Sequence, residues 1–301
     1  MLLAPCTLLL LMSCHSAQDE TIVPEGQCTI TFSVTNYRQI SFDDLSSSAV
    51  TRSVPTDHPS TLAHLLMAVF DAETGQQVLS PILRDYVDYE NKPSEYPQFS
   101  VTLPYGHYRV LVLGYNGSRA CNITSLNHIS WAENYVPNTF LYCGELTLDK
   151  DSEPSKEITL KHVVAAFRLM TEDDAPTNIK KMRFISTAGG TVLDATTGFS
   201  PQSTGRTSDV TVQEKYIGKP YTIIVYLFLP EEQSTTNYTV QAIGDSNEVL
   251  YEKHFNNVPL RINYLTEWKG KFFEASDEEP DGEKKTFYIE WDTQWADTLH
   301  I

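Results

Sequence analysis

The chain has 301 residues, of which 41% are hydrophobic and 11% aromatic, and its formal charge is −17. This composition is that of a folded protein, and the length suits about two domains of roughly 150 residues each. The negative charge argues against nucleic acid as a partner, because phosphate binding needs clustered Lys and Arg, and it disfavours adsorption to anionic lipid head groups.

The first segment predicts secretion and lipid attachment at Cys14. Residues 1–13 are apolar but shorter than the roughly 20 residues of a membrane-spanning helix, which is typical of a signal peptide. Leu11-Met12-Ser13-Cys14 resembles the bacterial lipobox. Because two or three acyl chains, palmitate among them, anchor a protein stably, we expect a tether to the outer membrane. The alternative is an ordinary cleaved signal with an incidental cysteine.

The basic start of a signal peptide is missing, since no Lys or Arg precedes Arg38. We therefore expect that translation begins upstream of Met1. Residues 14–26 are polar and read as a tether, and the acidic residues soon after Cys14 resemble the surface-export tags of lipoproteins from gut and oral anaerobes.

A first series of strands follows the tether. Cys28, Ile30, Phe32 and Val34 alternate with polar residues, the period of a half-buried strand, and polar residues 43–60 read as a loop. Residues 104–106 suit a hairpin turn, whereas 116–138 look irregular, with a helical turn over 130–135. The further predicted strands are 62–70, 76–83, 98–103, 107–115 and 139–148.

Residues 149–154 are charged and end in a proline, which favours a domain boundary there. Residues 221–229, apolar on both faces, predict a central strand of the second domain. The pattern predicts an all-β protein of two tandem β-sandwiches, Greek-key or transthyretin-like, over 27–154 and 155–273. The second series of strands is predicted at 156–170, 180–187, 190–194, 209–215, 221–229, 237–243, 249–255 and 258–273.

The C-terminal part combines an acidic linker with a strand-like peptide. Residues 274–285 hold nothing to bury and predict a solvated linker. Phe287, Ile289 and Trp291 then alternate with polar residues. Such a strand can pair with an edge of its own domain or with another chain by strand addition. The sequence does not decide between pairing within the chain and pairing with another chain.

Three cysteines remain in the mature chain: Cys28, Cys121 and Cys143. An odd number allows at most one disulfide, for which Cys121 and Cys143 are the candidate pair, and buried free thiols are the alternative. No Cys/His cluster with zinc spacing occurs, so we expect no metal or cofactor.

The sequence contains no local catalytic motif: no G-x-S-x-G, H-E-x-x-H, P-loop or G-x-G-x-x-G. His64 lies in an apolar strand and reads as a hydrogen-bonded core histidine rather than a catalyst. We expect a protein that is not an enzyme, although a hydrolase with carboxylates assembled in space stays an alternative.

Several segments together resemble the FimB/Mfa family of fimbrial anchor lipoproteins, within the fimbrillin group of two-domain β-sandwich pilus proteins. One departure is His162, where related chains often carry Arg. The segments that carry the resemblance are FSVTNYRQISFDD (32–44), STLAHLLMAVFDAETGQQV (60–78), FSVTLPYGHYRVLVLGYNGSRA (99–120), YVPNTFLYCGELTL (135–148), ITLKHVVAAFRLMTEDDAP (158–176) and RINYLTEWKGKFF (261–273).

The resemblance implies an anchor, accessory or tip subunit of a surface fimbrium (pilus), acting in cell adhesion and biofilm formation, with other fimbrial subunits as partners. It also implies assembly by strand exchange, with Phe287, Ile289 and Trp291 in the donor strand, and cleavage after an N-terminal arginine. Arg52, or Arg38, is a possible protease site; the alternative is an ordinary loop arginine, and anchor-type members are thought to stay uncut.

A second function remains open, a surface lipoprotein that binds glycans. Sugar rings stack on exposed aromatic side chains, and the candidates are Trp131, Tyr135, Trp268 and Trp295. The same residues equally suit a core or an interface.

Overall fold

A computed structural model of the protein describes residues 26–35 and 62–274, together with the backbone of 288–291. The described chain consists mostly of β-strands, with three short 3-10 helical turns at Tyr86–Tyr89, Ala132–Asn134 and Glu214–Tyr216. The predicted all-β class is confirmed. No helix within these residues is long and apolar enough to cross a membrane.

The described residues up to His162 supply ten strands. They are β1 Gln27–Thr35, β2 His64–Asp71, β3 Ile82–Asp85, β4 Gln98–Pro104, β5 Gly106–Asn116, β6 Cys121–Ser125, β7 His128–Trp131, β8 Asn138–Leu148, β9 Ser155–Thr159 and β10 Lys161–His162.

The described residues after His162 supply nine more. They are β11 Ala165–Thr171, β12 Ile179–Ser186, β13 Val192–Leu193, β14 Arg206–Thr211, β15 Thr222–Leu227, β16 Gln233–Gly244, β17 Val249–Arg261, β18 Tyr264–Gly270 and β19 Tyr288–Trp291.

The first sandwich packs a three-stranded sheet, in the order β4-β1-β9, against a five-stranded sheet, in the order β10-β8-β5-β2-β3. The predicted alternation in β1 is present: Ile30, Phe32 and Val34 are buried in the core between the sheets. Strand β1 runs antiparallel to β4 and parallel to β9. Its central place depends on a strand that follows more than 100 residues later in the chain.

The second sandwich packs the sheet β15-β11-β18-β19 against the sheet β14-β12-β16-β17. Strand β11 is antiparallel to β15 and parallel to β18. The core between these sheets is rich in aromatic rings, and Phe167 stacks on Tyr238 with ring centroids 4.7 Å apart.

The predicted central strand at 221–229 is β15, which the structure places at an edge of its sheet, so that prediction is wrong. The strand is apolar on both faces for another reason. Ile223, Val225 and Leu227 face the core of the second sandwich, whereas Tyr226 and the following Phe228 pack against the first sandwich. Two buried faces do not require two neighbouring strands.

The predicted domain boundary at 154–155 differs from the structure. Strand β9 pairs with β1, and β10 pairs with β8, so residues 155–162 belong to the sheets of the first sandwich. The charged residues 149–154 instead form a turn, in which the Asp149 carboxylate accepts the backbone N–H of Asp151. The chain enters the second sandwich after His162.

The two sandwiches are joined by a third hydrophobic cluster on the outer face of the five-stranded sheet. The hairpin of β6 and β7, in the region predicted to be irregular, covers that face, and β13 of the second sandwich pairs with β7. The rings of Trp131 and Phe228 stack there at 5.7 Å between centroids. The cluster is formed by Leu66, Ala68, Phe70, Leu111, Leu113, Tyr115, Leu126, Ile129, Trp131, Val136, Leu141, Val163, Val164, Leu193, Ala195 and Phe228.

We predict that Phe228→Ala destabilises both sandwiches together by about 3–5 kcal/mol, because it leaves a cavity in the cluster that both of them share. Chemical denaturation followed by fluorescence would measure the loss. Val87→Ala, at a side chain 70% exposed, is the matched control and should change stability by less than about 0.5 kcal/mol. An unchanged midpoint for Phe228→Ala would contradict the role assigned to the cluster.

Candidate functional site

The candidate site is the edge of the second sandwich at which the C-terminal strand pairs. Strand β18 lies between β11 and β19 in its sheet. Its pairing with β19 is antiparallel, with Tyr264 opposite Trp291 and Thr266 opposite Ile289. Strand β19 therefore covers only the first half of β18.

The inner face of β18 is fixed by the core of its own sandwich. Trp268 is 8% exposed and packs edge-on against Phe255, with ring centroids 5.0 Å apart. The hydroxyl of Thr266 donates to the carbonyl of Pro259. These contacts, and the parallel pairing with β11, fix β18 within its own sandwich.

The outer face of β18 carries a buried ion pair that sequence reasoning missed. Arg168 on β11 lies opposite Glu267 on β18, and their side chains, which are only 6% and 12% exposed, form a salt bridge. A buried pair of this kind is costly to break, because either partner alone would be a buried charge. The pair therefore fixes the register between β11 and β18. The arginine within the apolar run 165–169 was the only sequence signal for it.

The chain leaves the second sandwich at a defined point. The carboxylate of Asp173 accepts the backbone N–H groups of Phe272, Phe273 and Glu274, at 2.8, 2.5 and 2.9 Å. Three such charge-assisted hydrogen bonds anchor the segment from which the C-terminal residues depart. Sequence reasoning missed Asp173 as well, because its partners lie about a hundred residues away.

The proposed donor strand lies partly within the described residues. Ile289 and Trp291 belong to β19, and Phe287 is outside the described part. Of the two alternatives left open by the sequence, the structure shows pairing with the chain's own edge. It does not test transfer of this strand to another chain.

A cleft of about 780 Å³ lies between the two sandwiches, at the start of β18. The side chain of Arg261 bridges its rim: it forms an ion pair with Glu232 at 2.6 Å and donates to the Tyr264 hydroxyl at 2.9 Å. The lining residues are Leu141, Tyr142, Cys143, Thr159, Lys161, His162, Val163, Ala195, Thr196, Thr197, Gly198, Phe199, Glu232, Arg261, Ile262, Asn263 and Tyr264.

His162 connects the two sandwiches at the bottom of this cleft. Its Nδ1 lies 2.9 Å from Asn263 Oδ1 and its Nε2 lies 2.5 Å from Asn138 Oδ1, and its ring stacks on Phe140 at 4.6 Å between centroids. Burial lowers the pKa of His162 to about 4, against the hydrogen bond to Asn263, which favours the protonated form. The residue is therefore neutral at pH 7.

The described residues offer no assembled catalytic centre. His64, expected to be a hydrogen-bonded core histidine, has Nδ1 2.5 Å from Asp85 Oδ1 and Nε2 2.8 Å from the Gly117 carbonyl. In the cleft, Glu232 is bound to Arg261 and faces no second acid among the described lining residues. No group of three or more His, Cys, Asp or Glu in the described ranges is placed to hold a metal ion.

Cys28, Cys121 and Cys143 are all free thiols in the structure, so the possible disulfide between Cys121 and Cys143 is not formed. Both residues pack against the cluster between the sandwiches, where they serve as small apolar groups. Burial raises the pKa of Cys121 to about 12 and also raises that of Cys143, so neither is an activated nucleophile.

The aromatic residues suggested for glycan binding are not on the surface where the structure describes them. Trp131 and Trp268 are core residues at 3% and 8% exposure, and Tyr135 is partly buried against the interdomain cluster. The prediction that these three side chains are exposed for sugar stacking is therefore wrong. Trp295 lies outside the described residues, as do Cys14, Arg38 and Arg52.

One protein-family model matches residues 20–299, and it is described as "Family of unknown function (DUF6562)". Among curated proteins, none matches the chain.

Several solved structures have a similar chain path. A candidate adhesin from Bacteroides ovatus is 13% identical, with a TM-score of 0.48 over 83% of this chain and 88% of that one. The fimbrial anchor protein Mfa2 from Porphyromonas gingivalis is 11% identical, with a TM-score of 0.40 over 87% and 95%. A fimbrial assembly protein from Parabacteroides distasonis is 13% identical, with a TM-score of 0.41 over 88% and 94%.

We predict that His162 makes stability depend on pH between about 6.5 and 4. The unfolded chain binds a proton at His162 in this window and the folded protein does not, so stability present above pH 6.5 is lost as the pH falls. Lowering the pH from 7 to 5 should cost about 2 kcal/mol more in the native protein than in His162→Gln.

Denaturant titrations at the two pH values would measure this difference. His254→Gln, at a side chain 63% exposed, is the control for the change from His to Gln. Equal pH dependence in the native protein and in His162→Gln would contradict the prediction.

Proposed function

The chain belongs to the family of unknown function DUF6562, and we propose that it is a lipid-anchored structural subunit of bacterial surface fimbriae. In this role it supports fimbrial attachment and cell adhesion and performs no catalysis. The proposal is supported by the sequence resemblance to fimbrial anchor lipoproteins and by the geometry of β18 and β19. The observation that carries it is a short C-terminal strand at the edge of the second sandwich.

Strand β19 makes only a short backbone pairing with the sandwich on which it lies. It pairs with β18 at four positions, and the described core residues of the second sandwich extend to Phe273. Cross-strand pairs contribute roughly 0.2–1 kcal/mol each, so the four pairs of β19 together contribute a few kcal/mol. A strand of this kind can leave its own sheet without unfolding the protein.

Release of β19 would leave β18 as an edge with a free row of backbone N–H and C=O groups. Such an edge is a ready template for a strand from another chain. The ion pair of Arg168 and Glu267 and the packing of Trp268 keep the edge in place for the incoming strand. The released β19 can in turn add to a strand edge of a fimbrial partner, which is the donor role that we propose for it.

Attachment to the cell is assigned to Cys14. The first described strand begins at Gln27, so residues 14–26 separate the lipidated cysteine from the first sandwich. The charge of −17 opposes adsorption to anionic lipid, so the acyl chains supply the contact with the outer membrane. In this proposal Arg52 is an ordinary loop arginine and the chain stays uncut.

We predict that Cys14→Ala moves the protein from the membrane fraction to the soluble fraction, because removal of the thiol prevents attachment of the acyl chains. Fractionation of cells followed by immunoblotting would measure the change. Cys28→Ala, at the partly buried cysteine of β1, is the matched control and should leave the protein at the membrane. Retention of the Cys14→Ala protein in the membrane would contradict the lipid tether.

We predict that removal of residues 286–301 abolishes incorporation into fimbriae while the monomer stays folded, because the donor strand is lost and the described core residues are kept. Immunogold labelling of purified fimbriae would measure incorporation, and circular dichroism would measure folding. Removal of 293–301, which retains β19, is the control and should still permit incorporation.

Incorporation of the 286–301 deletion at the native level would contradict strand-mediated assembly. An unfolded monomer would show instead that β19 is needed for the stability of its own sandwich.

A further inference from the structure

The cleft between the sandwiches has the chemistry of a peptide-binding groove. Its lining combines apolar and polar residues, and it includes Lys161, which is exposed and has no ion-pair partner among the described residues. Arg261 and Glu232 on the rim neutralise each other. The cleft is therefore a positively charged site on a strongly acidic protein. Apolar residues of the lining include Leu141, Val163, Ala195, Phe199 and Ile262.

One wall of the cleft is a strand edge that is open beyond Leu141. Strand β10 pairs with β8 only at Phe140 and Leu141. The next residues of β8, Tyr142 and Cys143, line the cleft and have no partner strand on that side among the described pairings. An extended peptide in the cleft can therefore form backbone hydrogen bonds with β8 as well as apolar contacts.

The register of β19 brings the C-terminal end of the chain to this cleft. Trp291, the last residue of the strand, lies opposite Tyr264, and Tyr264 lines the cleft. Residues 292–301 follow directly, and an extended stretch of that length reaches ~33 Å. The tail thus starts at the rim and is long enough to cross the groove.

The composition of the tail matches that of the cleft. Trp295, Leu299 and Ile301 fall on one face of an extended chain, because side chains alternate with a period of two. Asp292 and Asp297 supply negative charge for the rim that Lys161 makes positive.

We propose that residues 292–301 of this chain dock into the cleft between its own two sandwiches. The tail then contacts both sandwiches at once and holds β19 on β18, since the strand lies between the tail and the rest of the chain. This inference does not depend on the fimbrial role, because it concerns one molecule alone.

Photo-crosslinking in the full chain tests the proposal. Trp295 is replaced by the photoreactive residue p-benzoylphenylalanine, the protein is irradiated at low concentration, and the linked peptides are mapped by mass spectrometry. We expect intrachain links to residues 141–143 or 196–199. The same reagent in place of Val87, which is 70% exposed on the first sandwich, is the control and should give no link to the cleft.

A charge reversal on the rim provides a second readout. Lys161→Glu should lower the yield of the intrachain link about fivefold, whereas Lys150→Glu, at a side chain 80% exposed on a turn, should not change it. Links only between chains, links only outside the cleft, or no links at all would each overturn the proposal.

Hydrogen exchange gives a measurement without the reagent. Trp295→Asp should speed exchange at the amides of Tyr142 and Cys143 by about tenfold, because the docked tail no longer protects them. Trp295→Phe, which keeps an apolar ring, should leave their exchange close to that of the native chain. Equal exchange in Trp295→Asp and the native chain would overturn the proposal and leave the result of the fimbrial incorporation assay unaffected.

Discussion

The shared hydrophobic cluster on the outer face of the five-stranded sheet is the contact on which the rest of the structure depends. It buries Trp131 against Phe228, and the pairing of β13 with β7 adds backbone hydrogen bonds between the same two sandwiches. Because interiors are close-packed, such a contact fixes the relative orientation of both units. This orientation sets the position of the cleft, and it places the start of β18 close to His162.

Period-two alternation was sufficient to locate β1 and β4, because each of these strands has one face in a single core. Alternation could not show that the strand at 221–229 lies at a sheet edge, because both faces of that strand are apolar. The sequence shows that β15 is buried twice but not that the second burial comes from the other sandwich. The predicted domain boundary at 154 differs from the structure for a related reason. The composition of this segment indicates a polar turn, but it does not show that β9 pairs with β1, a strand far upstream.

The candidate site was predictable in part. The alternation around Ile289 and Trp291 identified a C-terminal strand, and the structure supplies its neighbour, β18. The supporting residues were not predictable, because Arg168 pairs with Glu267 and Asp173 binds residues 272–274 across about a hundred positions. Charged residues in a sequence show no local sign of a distant partner. The sequence also could not show that Cys121 and Cys143 are free thiols, because only packing decides whether two cysteines come close enough to form a disulfide.

The parallel pairs β1–β9 and β11–β18 have a consequence for how the chain reaches its native state. Each pair joins segments about 100 or more residues apart, so neither sandwich can close until its last strand is present. Contacts of such long range slow folding. A chain of this topology cannot complete its first core before His162 has been made, or the pairing of β11 with β18 before Gly270, so synthesis in order along the chain allows the first sandwich to close before the second.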